Sequence, residues 1–222
     1  MKTYEPEKFD SFAEEYEKFV SYFLGNPYLG WDDLSGDNAI DIGCGAGQAT
    51  KIISTKFKKV VGIDLSSELI NLAKQKHSND NINYIVEDIL NFNDQEHYDF
   101  VYSHTMMHHM SNYESALIHI KNLVKKGGKI FIVDNVADKY RTPPKWAYTI
   151  PAKIEFLPNI IKYGFNKALF LLKFWHNKKW LAHLASDKYL NNEEFNNIYL
   201  RVFPGAEIIN MGFGNGMKWV KE

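Results

Sequence analysis

Five short apolar runs recur along the first 135 residues at 38–43 (NAIDIG), 59–64 (KVVGID), 82–87 (INYIVE), 98–103 (YDFVYS) and 128–134 (GKIFIVD). Each is rich in β-branched and aromatic residues and ends in a small or polar one. Near-continuous apolar runs of this length fit strands buried on both faces, as in a parallel sheet. Between them, 47–57, 66–77 and 112–125 carry apolar residues at helical spacing. In the second, Leu65, Leu69, Ile70, Leu72 and Ala73 form one face, with Ser66 or Ser67 as N-cap. In the third, Ala116, Leu117, Ile120, Leu123 and Val124 do the same, and KKGG places lysines at the negative helix end before a glycine stop. Parallel strands need crossovers, so this alternation predicts a doubly wound α/β sheet.

After the fifth run the chain changes character. Residues 142–190 hold four prolines, three of the five tryptophans, and eight lysines against only Glu155 and Asp187. They read as a helical insertion. A helix at 191–203 then leads into GAEIINMGF, a GNG turn and MKWVKE, which together predict an antiparallel hairpin. The expected sheet has seven strands: five parallel, plus this C-terminal pair.

The net charge of −1 argues against a chain-wide surface for polyanions. Arg141 and Arg201 are the only arginines among 26 basic residues, which disfavours bidentate phosphate reading, and nucleic acid is not an expected partner. The acidic N-terminus has no apolar run of a leader, and no stretch approaches the roughly 18 apolar residues of a membrane span. The lone Cys44 can form neither an internal disulfide nor a thiolate metal cluster. The expectation is a cytoplasmic chain without a bound metal.

The segment AIDIGCGAGQAT (39–50) decides the ligand class. It lacks the Gly-Lys-Ser/Thr of a phosphate-binding P-loop. A dinucleotide fingerprint would need glycine at position 48, where the chain has Gln48. What remains is Asp41-x-Gly43-x-Gly45-x-Gly47, a loop that turns sharply, exposes backbone N–H groups and follows an acid suited to a cationic ligand.

With these residues the sequence resembles the class I S-adenosylmethionine-dependent methyltransferases, and AIDIGCGAGQAT is similar to their first motif. VVGIDLS resembles the second, VEDIL the third, YDFVYSHTMMHHM the fourth, and LVKKGGKIFIVD the segment entering strand five; the match runs over about 10–135. The resemblance implies a Rossmann-like fold and S-adenosylmethionine as cofactor, with S-adenosylhomocysteine as product. It also implies that Asp64 accepts from both ribose hydroxyls, with Leu65 beside it. Glu87 and Asp88 would face the adenine, Ile89 would lie against its ring, and Gly43, Cys44, Gly45, Gly47 and Asp41 would hold the methionine part. Ser103 and His104 would touch the cofactor from strand four. The N-terminal FDSFAEEYEKF resembles the helix that closes over the cofactor in small-molecule members such as the quinone-biosynthesis methyltransferases, bringing Tyr16 to the methionine carboxylate. A plain amphipathic helix with Phe12, Tyr16, Phe19 and Phe23 packed down fits that segment equally. The expected organisation is one domain over 1–222, comprising a cover (1–30), a cofactor-binding core (31–137), a substrate cap (138–190) and a closing helix with hairpin (191–222).

Methyl transfer from a sulfonium is an in-line displacement with an activated leaving group, so orientation supplies most of the effect and neither metal nor covalent intermediate is required. A base matters only where the acceptor must lose a proton. His104 and His108 are the candidates, with Asp134 and the pair His183 and Asp187 as further ones, although His108 and His109 could equally cap and pack the next helix. His104 and His108 lack the carboxylate that a zinc pair at this spacing would need. The aromatic insertion suggests a small, apolar or aromatic acceptor, and its lysines allow contact with an anionic membrane surface. The alternatives are an RNA or other macromolecular substrate and a non-catalytic protein that binds S-adenosylmethionine. YSHT stands where nucleic-acid amino-methyltransferases carry an Asn/Asp-Pro-Pro-Phe/Tyr motif. Oligomeric state is open.

Overall fold

The computed structural model describes residues 7–93, 97–139 and 142–222. The first six residues of the expected cover, and Arg141, lie outside them. The chain opens with α1 (Glu7–Asp10) and α2 (Ala13–Phe23), then alternates β1 (Gly36–Ile42), α3 (Gln48–Ile53), β2 (Phe57–Asp64), α4 (Ser67–Lys76) and β3 (Ile82–Val86). It continues through β4 (Tyr98–His104), a 3₁₀ turn (Met107–His109), α5 (Tyr113–Leu123) and β5 (Val124–Asn135). Four helices follow, α6 (Trp146–Ile154), α7 (Phe156–Tyr163), α8 (Phe165–Phe174) and α9 (Lys178–Leu184), before α10 (Asn192–Val202), β6 (Glu207–Asn210) and β7 (Gly214–Val220).

All seven strands form one sheet in the order β3-β2-β1-β4-β5-β7-β6. β1 to β5 pair in parallel, and β7 runs antiparallel to both β5 and β6. The apolar residues of β1, β4 and β5 are buried on both faces, as their composition requires, whereas edge strand β3 buries only Tyr84. Ile40, Ile42, Val101, Ile130 and Ile132 point to the side covered by α5 and α10, whereas Ala39, Phe100, Tyr102, Phe131 and Val133 pack with Leu29, Leu34 and Ile53 on the other. Strand order reverses between β1 and β4, the position at which open α/β sheets form a crevice at their carboxyl ends.

Local signals set the helix starts. Ser66 Oγ accepts from Leu69 N at 3.1 Å to cap α4, and Asn191 with Glu194 closes a capping box on α10. The hairpin corrects one expectation: Gly214-Asn215-Gly216 is not the turn but the first three residues of β7. A Cβ at 214 would stand 2.1 Å from the Asp134 carbonyl oxygen, and one at 216 would stand 3.0 Å from the Phe131 ring. These glycines therefore permit close approach of β7 to β5. The turn lies at 211–213, where Gly212 has φ of +85° and donates its N–H to Asn210 Oδ1 at 2.7 Å.

The cover and the insertion meet over the sheet edge. Phe19 stacks on Phe174 with centroids 4.5 Å apart, and Phe12 and Tyr16 pack edgewise or tilted on Trp180. On its outer side the insertion exposes Trp146, Ile150, Ile154, Leu157, Ile161 and Phe165, a helical stripe flanked by the exposed lysines Lys153, Lys162 and Lys167. No helix among the described residues is long and apolar enough to cross a membrane.

Candidate active site

The glycine loop joins β1 to α3 and is tied to β2, with the N–H groups of Gly43 and Cys44 both donating to the Ile63 carbonyl at 2.9 Å. Gly43, Gly45 and Gly47 all have positive φ, at +70°, +54° and +86°. Their surroundings divide their tasks. A Cβ at Gly43 would stand 2.5 Å from the Met106 side chain, whereas one at Gly45 would meet nothing within 4 Å. Gly45 thus presents open backbone to a ligand. At Gly47 a Cβ would stand 2.4 Å from the Tyr84 hydroxyl, so this glycine serves the packing of α3 on β3 and lines none of the cavities described below.

Asp64, at the end of β2, accepts from Gly45 N on Oδ2 and from Ser66 N on Oδ1, both at 2.9 Å. Each oxygen keeps a second lone pair for an outside donor. Burial raises the Asp64 carboxyl above its ordinary pKa, against the lowering effect of those two N–H donors. Asp41, under the loop, is 1% exposed and accepts from Thr50 Oγ1 at 2.6 Å. Burial pushes its pKa up to about 7 despite that bond. The Cys44 thiol is also pushed well up by burial, with Asp41 and Asp64 adding to it, so it stays protonated.

Three cavities meet at this edge. The first lies under the cover and is walled by Asp64, Leu65, Glu87, Ile89 and the loop glycines 43 and 45. A second is bounded by Asp41, Cys44, Gln48 and Tyr102. The third, of about 470 Å³, opens between the sheet edge and the insertion, with Tyr148, Trp175 and Trp180 along one side and His108, His183 and Asp187 along the other. Tyr16, His104 and Thr105 line all three. Thr105 has φ of +52°, a conformation costly for a β-branched residue, and is held there by its N–H donating to Val133 O at 2.7 Å. Burial lowers the pKa of His104, keeping the imidazole neutral, and its Nδ1 is 3.3 Å from Thr105 Oγ1.

Below this junction sits a buried polar cluster. His108 Nδ1 bonds Asp134 Oδ1 at 2.6 Å; burial would lower this imidazole, but the Asp134 carboxylate outweighs it and holds the pKa above its ordinary value. Asp187 accepts from the Tyr189 hydroxyl at 2.9 Å.

Ten of the sequence candidates therefore share this edge: Tyr16, Asp41, Gly43, Cys44, Gly45, Asp64, Leu65, Glu87, Ile89 and His104; His108 and His183 line the third cavity. Besides Gly47, two candidates stand elsewhere. Ser103 is fully buried and donates to the Ile42 carbonyl at 2.9 Å, bracing β4 on β1. Asp88 turns its carboxylate back to accept from Leu90 N at 2.9 Å and lines none of the cavities. Sequence reasoning missed Thr105, for which only its place just after strand four offered a signal, and Phe9, which closes the first cavity.

Residues 40–132 match a family model described as a methyltransferase domain. The sequence is 30% identical over 127 residues to malonyl-[acyl-carrier protein] O-methyltransferase 2 of Ilyobacter polytropus, covering 56% of this chain and 49% of that protein. It is also 30% identical over 101 residues to a ubiquinone biosynthesis O-methyltransferase of Coxiella burnetii, covering 44% and 43%. The chain thus spans less than half the length of these curated relatives. In fold it is similar to a DhpI–SAH complex, with a TM-score of 0.64 at 15% identity over 96% of this chain and 92% of the other. Residues 40–132 are thus similar to a methyltransferase domain, and the 3-2-1-4-5-7-6 sheet with its glycine loop after β1 agrees with that likeness in fold.

Proposed function

We propose that the protein transfers the methyl group of S-adenosylmethionine to a small apolar or aromatic acceptor held in the third cavity. The observation that carries this reading is the convergence of all three cavities on Tyr16, His104 and Thr105. A ligand with two arms and a central reactive group fits the first two cavities, and an acceptor in the third would face its centre. The open backbone at Gly45 and the spare lone pairs of Asp64 suit the cofactor's nucleoside. Asp64 would take the ribose hydroxyls, Ile89 and Glu87 the adenine side, and Asp41 with Gly43, Cys44 and Gly45 the charged amino-acid arm. When bound, the sulfonium supplies an activated methyl group.

The chain's own contribution is then orientation and dryness. The cover seals the cofactor crevice through Phe9 and Tyr16, and the aromatic wall of the third cavity excludes water from the acceptor. His104, neutral and at the junction, would accept the proton that an acceptor hydroxyl gives up as it is methylated. A volume of about 470 Å³ lies within the range of small-molecule sites, and no lysine or arginine stands among its described lining residues, which disfavours an RNA substrate.

Calorimetry with S-adenosylhomocysteine, followed by transfer of labelled methyl from S-adenosylmethionine to a panel of phenols, carboxylic acids and amines, tests the reading. Binding together with turnover of a panel member is expected. Binding without any transfer would favour the non-catalytic alternative, and a preference for NADH over S-adenosylhomocysteine would sink the cofactor assignment.

A further inference from the structure

The polar side of the third cavity carries more ionisable groups than methyl transfer uses. His108 and His109 of the 3₁₀ turn and His183 and Asp187 of the insertion line it, with Asp134 at the end of β5 bonded to His108, and all but His109 are below 9% exposed. Asp187 is 1% exposed, and its Oδ1 has no hydrogen-bond partner. A buried carboxylate oxygen without a donor is costly unless a cation faces it. No lysine or arginine stands among the described residues lining this cavity.

We propose that His108 Nε2, His109 Nδ1 and Asp187 form a binding site for a divalent first-row transition ion of the zinc type. One ligand atom from each of the three lies within 4.8 Å of the others. His109 Nδ1 is 3.4 Å from Asp187 Oδ1, and His108 Nε2 is 3.8 Å from Asp187 Oδ2. Ligand atoms about 2.0 to 2.1 Å from a tetrahedral ion stand roughly 3.3 Å apart, so small side-chain adjustments close the set.

The surrounding groups match those that orient metal ligands elsewhere. The 2.6 Å bond between His108 Nδ1 and Asp134 fixes the ring so that Nε2 faces the cluster, the carboxylate–histidine–metal arrangement. The Tyr189 hydroxyl holds the second oxygen of Asp187. His183 borders the set, with Nε2 3.8 Å from Asp187 Oδ1. Two imidazoles and a carboxylate favour zinc, cobalt or nickel over magnesium or calcium, which prefer all-oxygen shells. The three ligands leave a coordination position toward the acceptor cavity, where an oxyanion, hydroxyl or carboxylate of the acceptor could bind.

The sequence expectation of no metal rested on the lone Cys44 and on His104 with His108 lacking a nearby carboxylate. The structure instead supplies the carboxylate from residue 187, nearly 80 positions away along the chain and beyond the reach of local spacing.

The test uses the full chain, dialysed against a chelator and titrated with Co²⁺ as spectroscopic probe, with Zn²⁺ in competition. One Co²⁺ per chain, visible d–d bands of a low-coordinate site and displacement by one Zn²⁺ are expected. Asp187→Asn and, separately, His109→Gln should each weaken Co²⁺ at least tenfold, with near-ultraviolet circular dichroism confirming the fold of each variant. Wild-type protein that takes up no Co²⁺ across the titration, or variants that bind as the wild type does, would overturn the proposal. Because S-adenosylhomocysteine binding is measured separately, failure here leaves the methyl-transfer reading standing, and the reverse holds.

Discussion

Replacing Asp64 with alanine removes the group on which nucleoside binding is argued to rest. In the structure this carboxylate holds two backbone N–H groups at 2.9 Å and keeps two lone pairs toward the first cavity. Hydrogen bonds to a charged acceptor contribute about 1.5 to 3 kcal/mol each, so two ribose hydroxyls account for about 3 kcal/mol at the lower end. At 1.4 kcal/mol per tenfold, the variant should bind S-adenosylhomocysteine about a hundredfold more weakly by calorimetry. Part of any loss could come from loosening the loop at Gly45, whose N–H loses its partner. A ligand-side arm separates the two. The 2′-deoxy analogue should lose about tenfold on the wild type and almost nothing on Asp64→Ala, as a double-mutant cycle requires. Affinity within threefold of wild type, or an equal loss of the analogue on both proteins, would refute the ribose assignment.

Three further outcomes are expected. Gly214→Ala places a methyl 2.1 Å from the Asp134 carbonyl oxygen and should cost about 2 to 4 kcal/mol in denaturant unfolding; a variant as stable as wild type would mean that β7 does not approach β5 this closely. The native state keeps the Asp41 proton up to about pH 7 while the unfolded chain releases it near 3.8, so this group's stabilisation is full below 3.8 and is lost as pH rises to 7. Asp41→Asn should therefore gain on wild type across that window, by on the order of 4 kcal/mol at its upper end, and parallel pH profiles would contradict the burial argument. Once an acceptor is found, His104→Gln should lower kcat by about 10² to 10⁴ with S-adenosylhomocysteine affinity little changed. Since burial lowers the His104 pKa, the wild-type rate should hold below pH 6.5 before falling. A kcat unaffected by the substitution would remove the base.

The sheet was legible because each buried strand carries its own record: Ile40 and Ile42 pack on one face and Ala39 on the other, and the alternation of such runs with helical segments points to a parallel sheet. Asp64 and the loop glycines were legible because a positive φ and a strand-end acid are written in residue types. Gly214 and Gly216 misled because glycine marks close approach as readily as a turn, and only the neighbouring strand distinguishes the two. Ser103 and Asp88 stand apart from the cavities for a related reason. Both have the right chemistry at the right edge, but Ser103 donates to the Ile42 carbonyl of the neighbouring strand and Asp88 Oδ1 accepts from Leu90 N. Thr105 was silent because strain imposed by Val133 O leaves no trace in the identity of a threonine. The cluster around Asp187 joins segments brought together only by the insertion folding back, which no spacing rule reaches.

The cover helix α2 touches both halves of the molecule. Glu17 pairs with Lys76 of α4 on the core side, while Phe19 lies on Phe174 of α8 in the insertion. One element thus roofs the crevice for one ligand and the cavity for the other, and Tyr16 enters both. Any ligand that settles this helix does part of the ordering its companion would otherwise require. Occupancy of the two cavities is then thermodynamically linked: whatever factor one ligand adds to the affinity of the other must be returned in equal measure.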